Sequence, residues 1–487
     1  MLFNSYIFIL LFLPLTLLGY YLLNHYKQYR LATVLLVGMS LWFYGYNNVW
    51  YLPLLVGSIG LNYLVAYGLS HAQKQSGRKL LLWGGILVNI GTLFFFKYYS
   101  FTASVINDAL GTDFVLHHLI LPLGISFYTF QQLSYVIDLY KKEAPLYPLL
   151  DYAVYVTFFP QLIAGPIVLH EELIPQFRDE SRRRINPENF VRGIYAFSLG
   201  LGKKVLLADV FSKVVALGYA DIASLDTTNA FVVMLSYTLQ LYFDFSGYCD
   251  MAFGIGYMFN IEIPQNFDSP YKASNLSDFW KRWHITLSRF FTRYIYYPLG
   301  GNRKGKVRGY INLFLVFFVS AIWHGAGWTY IVWGVLCGGS VVFDKLLQKY
   351  LHRIWKPLGT FLTYAYFIFT LIVFRAPTMG DAMTMFHNFG KLSFGPVNAA
   401  FTETINSLAE VSILSNLGLS GVLASYPFLP LVLLLAFGQF LVWGCKNTQQ
   451  KVKAYALSKR ALISSIVLLI WSLMSLTEIS EFLYFNF

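Results

Sequence analysis

The run FLVFFVSAIW-HGAG-WTYIVWGVLCGGSVVF, residues 314–343, decides how this chain is read. It holds no Asp, Glu, Lys or Arg, and its single titratable imidazole is His324. A surface helix or strand of that length would show a polar face. This run shows none, so it belongs in hydrocarbon. Gly325 and Gly327 interrupt it, and basic residues flank both ends, Arg303 to Arg308 before it and Lys345 after it. Two half-spans meeting at the glycine turn are therefore expected, with His324 deep in the bilayer.

The same character extends over the whole chain. Of 487 residues, 56% are hydrophobic, 19% aromatic and 12% charged. Mean hydropathy is +0.53. Globular proteins carry about 25% charged residues, and half that cannot cover a soluble surface. This excludes a soluble enzyme, a disordered chain and a secreted disulfide scaffold. A polytopic all-α membrane protein remains. Net charge is +12. In such a chain it reads as a positive-inside bias and attraction to anionic lipid, with no nucleic-acid partner. The cysteines, Cys249, Cys337 and Cys445, have no metal or disulfide spacing. The first residues lack a basic n-region and a cleavage site, so they read as a retained span.

Apolar spans fall near 6–23, 31–45, 49–69, 80–97, 119–140, 190–217, 229–246, 358–375, 423–444 and 461–476. Connectors rich in Lys and Arg fall on one side if the N-terminus is extracytoplasmic. Residues 144–170 return to the side they start from, and Pro160, Gly165 and Pro166 break them, so a buried re-entrant segment is expected. The stretch DFWKRWHITLSRFF (278–291) reads as one amphipathic helix at the inner interface, anchored by Phe279, Trp280 and Trp283. His117, His118 and His387 are assigned to loops.

His324 is the sharpest candidate, because an ionisable group inside a span is costly and marks function. An imidazole also suits proton transfer near neutral pH. By residue type alone His284 reads as an interfacial histidine in an aromatic belt rather than as a chemical group. Residues 281–308 hold eight bases and no acid (Lys281, Arg282, Arg289, Arg293, Arg303, Lys304, Lys306, Arg308). They fit anionic lipid or an anionic cosubstrate such as CoA. Gln240, Asp244, Ser246, Tyr248 and Asp250 are either a polar network between helices or the wall of a polar tunnel. GGNRKGK (300–306) has the P-loop frame but ends on Val307 and follows no strand. HEELI (170–174) lacks the second His of a zinc protease motif, and no metal site is expected.

Several motifs together resemble the membrane-bound O-acyltransferase (MBOAT) superfamily, in particular its alginate O-acetyltransferase branch with bacterial polysaccharide and peptidoglycan acetyl-transfer proteins. They are LPLGISFYTFQQLSYVIDLY (121–140), FFPQLIAGPI (158–167), YFDFSGYCDMAFGIG (242–256), NFDSPYKASNLSDFWKRWHITLS (266–288), YPLGGNR (297–303) and WHGAGWTYIVWG (323–334), with MLFNSYIFILLFLPL at the start and FLYFNF at the finish. The chain departs from the family's pattern at Thr292-Arg293-Tyr294, where Arg-Asp-Tyr is frequent, and at Cys337, where a His is frequent.

The resemblance implies one transmembrane domain over 1–487, with 10–12 helices, re-entrant segments and a central tunnel. Its core would lie at about 121–343, with peripheral helices at 1–100 and 358–487. It implies that His324 is the catalytic histidine and His284 its recurrent companion. Substrate- or donor-binding positions are expected among Asp244, Ser246, Asn275, Asp278, Trp280, Arg282, Trp283, Arg303 and Trp323. It further implies acetyl-CoA as cosubstrate, no bound cofactor, and location in a bacterial inner membrane. The acceptor would be a cell-surface polysaccharide hydroxyl, reached directly or through an extracytoplasmic partner of SGNH-hydrolase type or a glycan synthesis complex. Rival readings are D-alanyl or other acyl transfer to a wall polymer, a transporter, and a scaffold.

Overall fold

Apolar runs in hydrocarbon fold as helices because a helix satisfies its own backbone. The computed structural model describes residues 1–116, 119–351, 353–455, 457–476 and 482–483. His117, His118 and the last four residues of FLYFNF lie outside them. Among the described residues every regular element is helical. All ten expected spans carry a helix: Phe8–His25, Tyr29–Gly45, Tyr51–His71, Gln75–Leu110, Ile125–Tyr140, Pro187–Gly202, Thr227–Met258, Lys356–Arg375, Leu429–Gly444 and Lys459–Met474. Among the described residues six helices are long and apolar enough to cross a membrane, or eight if two bent pairs count as one span each. Those six include both arms of the 314–343 run. Tyr29–Gly45, with 17 residues, and Ile125–Tyr140, Pro187–Gly202, Leu429–Gly444 and Lys459–Met474, with 16 each, are shorter than those six.

Four expectations change. The arms of the 314–343 run are not half-spans. Lys306–His324 and Trp328–Leu346 have 19 residues each, and each meets the length and apolarity of a full crossing. The span at 80–97 does not end at Lys97. It passes through a π-helical turn, Phe94–Tyr98, and continues to Leu110. The stretch 278–291 is two helices, Leu276–Arg282 and Ile285–Phe291, broken at His284. Phe279 and Trp283 are buried in the protein rather than anchored at an interface. His387 also moves, from a loop into the helix Met379–Gly390.

The centre is a pair of helices in backbone contact. Pro187–Gly202 continues through a π turn, Lys203–Ala208, into Asp209–Ala220. It packs along the 32-residue helix Thr227–Met258. A Cβ on Gly193 would stand 2.6 Å from the Gly254 carbonyl oxygen, and one on Gly200 would stand 2.7 Å from that of Gly247. Only glycine allows this approach, and small residues in register are how helices close on each other in lipid. Around this pair, residues 144–170 form two short helices, Leu149–Thr157 and Phe159–Leu162, followed by buried irregular backbone.

The buried lysines of this core are paired with carboxylates. Lys204, 1% exposed, donates to Asp244 at 2.7 Å and pairs with Asp209 at 2.8 Å. Asp244 also accepts from the Leu483 amide at 2.9 Å. Lys203 binds Asp250 at 2.6 Å and reaches Ser246 at 3.4 Å. Removing one partner of such a pair leaves an uncompensated buried charge. We expect Lys204→Ala to cost about 3–5 kcal/mol of stability. The apolar double substitution Lys204→Met with Asp244→Leu should regain most of it. Thermal melting of the detergent-solubilised chain checks both.

Candidate active site

His324 is the last residue of the helix Lys306–His324. A helix end leaves carbonyls without helical partners, and here side chains take them. Tyr98 donates to the Ile322 carbonyl at 3.1 Å, and the Lys97 ammonium donates to the Trp323 carbonyl. His324 Nδ1 lies 2.7 Å from the Ser320 carbonyl oxygen. A carbonyl only accepts, so Nδ1 carries the proton and Nε2 is the basic nitrogen. The turn that follows is tight. A Cβ on Gly325 would stand 2.1 Å from the Tyr330 ring.

His284 sits on the break between two short helices, with φ +47°. That left-handed conformation costs a non-glycine residue about 1–2 kcal/mol, and such residues cluster at functional sites. The surrounding backbone fixes it: the Ile285 amide donates to the Asn266 carbonyl at 2.9 Å, and the Asp268 amide to that of Arg282 at 2.9 Å. Asn266 Oδ1 accepts from the Thr286 amide and hydroxyl at 3.2 and 2.9 Å, and lies 3.2 Å from His284 Nδ1. The same logic again puts the proton on Nδ1 and the lone pair on Nε2. Phe245 packs edge-on to the ring at 4.9 Å.

Two cavities share His324 as a wall. The larger, about 250 Å³, is lined by both His284 and His324 and by Trp280, Trp283, Phe317 and Trp333. Leu313 and His324 both line it. They stand eleven residues apart on one helix, about 16 Å of axial rise. Lys281 and Lys345 also line this cavity. The smaller, about 20 Å³, lies between His324 and Trp323, Lys97, Ile163 and the segment 121–127. The site is therefore a slot with lysines along its wall, two histidines of defined tautomer, and a small chamber beyond the second. His324 lines this chamber, and a basic imidazole nitrogen can take a proton from a hydroxyl.

The remaining expected positions are spread out. Trp280 and Trp283 line the larger cavity and Trp323 the smaller. Asn275 caps the helix Leu276–Arg282 by accepting from the Asp278 amide at 2.8 Å, and Asp278 accepts from Arg282 at 2.9 Å. Asp244 and Ser246 belong to the lysine network and line neither cavity. Arg303 is exposed in the turn after Leu299. Cys337 is buried and lines neither cavity.

The eight bases of 281–308 are not one cationic face. Arg289 pairs with Glu172, and Arg293 with Asp138 at 3.0 Å and Glu171 at 2.6 Å. Asp138 also accepts from Tyr294 at 2.8 Å and meets His170 Nε2 at 3.2 Å. Burial opposes the Arg293 charge, but the Glu171 hydrogen bond and the fields of Tyr294, Asp138 and Glu171 outweigh it and hold the guanidinium above its ordinary range. Lys281, Arg303, Lys304, Lys306 and Arg308 remain exposed. Sequence reading missed this cluster because its carboxylates lie more than a hundred residues away.

Comparison with known proteins follows the same lines. The family described as "MBOAT, membrane-bound O-acyltransferase family" matches residues 86–378. The chain is 44% identical to "Peptidoglycan O-acetyltransferase" of Helicobacter pylori, over 79% of this chain and 78% of that one. It is 36% identical to "Probable alginate O-acetylase AlgI" of Pseudomonas aeruginosa, over 82% and 77%. It is 28% identical to "Teichoic acid D-alanyltransferase" of Bacillus subtilis, over 51% and 65%.

The Gly325 contact gives a direct test of the turn. Gly325→Ala is expected to cost about 1–3 kcal/mol through overpacking against Tyr330. Combined with Tyr330→Ala, the loss should be smaller than the sum of the single losses. Melting temperatures of the three variants measure it.

Proposed function

Because the chain belongs to the membrane-bound O-acyltransferase family and is thereby a membrane acyltransferase, we propose a specific reaction for it: it moves an acetyl group from cytoplasmic acetyl-CoA to a hydroxyl outside the inner membrane. The acceptor is a bacterial cell-surface glycan, of the kind named for the peptidoglycan and alginate relatives. Transfer is direct or passes through a serine of a partner acetyltransferase of SGNH-hydrolase type. Acetyl is favoured over D-alanyl because the acetyl-transfer relatives match far more of the chain, at higher identity.

The observation that carries this reading is His324 forming a wall of both cavities. A thioester arm lies in the larger slot, its phosphates held toward Lys281, Lys345 and the exposed bases of 303–308. The acyl carbon reaches the inner end, at His324. The acceptor hydroxyl meets it from the smaller chamber. His324 Nε2 takes the hydroxyl proton as the oxygen attacks the acyl carbon, and the imidazolium then passes that proton to the departing thiolate. General base catalysis of this kind is worth about 10²–10⁴-fold. His284 orients the thioester from within the slot, its ring fixed by Asn266.

We expect His324→Ala to abolish acetylation of surface glycans in cells and thiol release from acetyl-CoA by the purified chain. His284→Ala should lower turnover less severely. Asn266→Leu should follow His284→Ala, since it unpins the same ring, and misplacement on that scale costs about 10²-fold. Acetyl content of isolated glycans and a thiol-release assay measure these outcomes. Full acetylation with His324→Ala would refute the reading, and substrate movement without thioester loss would point to a transporter.

A further inference from the structure

The helix Gln75–Leu110 brings another ionisable side chain to His324. Lys97 lies in the π-helical turn Phe94–Tyr98 and lines the smaller cavity with Trp323 and His324. Such turns inside helices are frequent at functional sites. The ammonium donates to the Trp323 carbonyl and lies 5.7 Å over the Trp323 ring. Its neighbour Tyr98 caps the preceding carbonyl with a neutral hydroxyl. Capping alone therefore does not require a charge, and a lysine inside a span is far more costly than a tyrosine.

The lysines of the central helix show how such a charge is otherwise handled. Lys203 is neutralised by Asp250, and Lys204 by Asp244 and Asp209. Among the described residues no carboxylate pairs with Lys97, and none lines its cavity. A fixed cation beside the basic histidine, with no fixed anion, suits a charge that exists only during reaction.

Resting on the acetyl-transfer reading above, we propose that Lys97 is a further catalytic residue, whose ammonium stabilises the oxyanion formed beside His324. The acceptor oxygen bonds to the thioester carbonyl carbon, its proton passes to His324 Nε2, and the C=O electron pair moves onto the carbonyl oxygen. That oxygen accepts a hydrogen bond from Lys97 Nζ. As the pair returns, the carbon–sulfur bond breaks, and the thiolate leaves with the proton from His324. The ammonium keeps its hydrogen bond to Trp323 throughout, so it is aimed before the charge appears.

The experiment compares Lys97→Gln, Lys97→Arg and His324→Ala in the full-length chain in lipid nanodiscs. Acetyl-CoA is the donor, and soluble peptidoglycan fragments and alginate oligomers are the acceptors. Lys97→Gln keeps a hydrogen-bond donor but removes the charge and shortens the side chain by one atom. Its kcat should fall about 10²–10³-fold. Its KM for acetyl-CoA should stay within about twofold, the signature of an interaction made only in the transition state. Its melting temperature should match wild type. Lys97→Arg should retain most of the turnover. Wild-type kcat in Lys97→Gln, with His324→Ala inactive, overturns the role of Lys97 and leaves the acetyl-transfer reading standing. Loss of melting temperature in Lys97→Gln without loss of kcat per folded molecule overturns it as well, and assigns Lys97 to capping alone. Activity in His324→Ala overturns both.

Discussion

Backbone meets backbone where Gly193 packs on Gly254 and Gly200 on Gly247. Much of the interior depends on that contact. It holds the helix Thr227–Met258 at the centre, buried over nearly all its length. From this helix Asp244 and Asp250 reach the lysine pair. Phe245 packs on His284, and Cys249 accepts from Asn266, the residue that orients His284. A Cβ at either glycine pair would meet the facing backbone at 2.6–2.7 Å and force the helices apart, and these second contacts would separate with them. In lipid the hydrophobic effect does not press helices together, so close packing and polar bonds between helices must do so. Glycines and ion pairs on the same two helices divide that task.

The two histidines are prepared in the same way by unrelated local means. His324 ends a helix and turns Nδ1 back to its own backbone, whereas His284 interrupts one and turns Nδ1 to a distant asparagine. In each case a fixed acceptor selects one tautomer and directs Nε2 as the lone-pair nitrogen. Each strained or terminal position is bound by backbone hydrogen bonds on both sides, which is what allows a residue in the left-handed region to persist.

Scarcity of charge made part of this legible from sequence. Helices and their approximate spans follow from apolar length, and His324 stands out because its run holds no Asp, Glu, Lys or Arg and no other imidazole. The break at His284 was hidden, because a histidine at φ +47° carries no Gly or Pro signal and its pairing partner, Asn266, lies 18 residues upstream. The hairpin was read too short because its basic flanks suggested a dip rather than two crossings. Lys97 was placed at a span's edge because a hydropathy run ends at its first charge, whereas the helix continues. The bases of 281–308 looked unopposed because Glu171 and Glu172 lie 122 and 117 residues from their partners Arg293 and Arg289. Local patterns report helices and isolated oddities. They do not report pairings between distant segments.

The unequal sizes of the two cavities bear on the competing reaction with water. Acyl transfer from a thioester must avoid hydrolysis, which uses the same base and the same carbonyl. The chamber of about 20 Å³ beside His324 has room for about one water. The slot on the other side sets Trp280, Trp283, Phe317 and Trp333 beside the hydroxyls of Ser277, Ser288, Thr292 and Ser320. On the proposed reading, an attacking hydroxyl that enters the chamber displaces its water instead of competing with a pool. Excluding that water also strengthens the electrostatic interactions inside the site. Membrane burial, costly for every polar group that had to be paired, is then the same property that keeps the thioester for its acceptor.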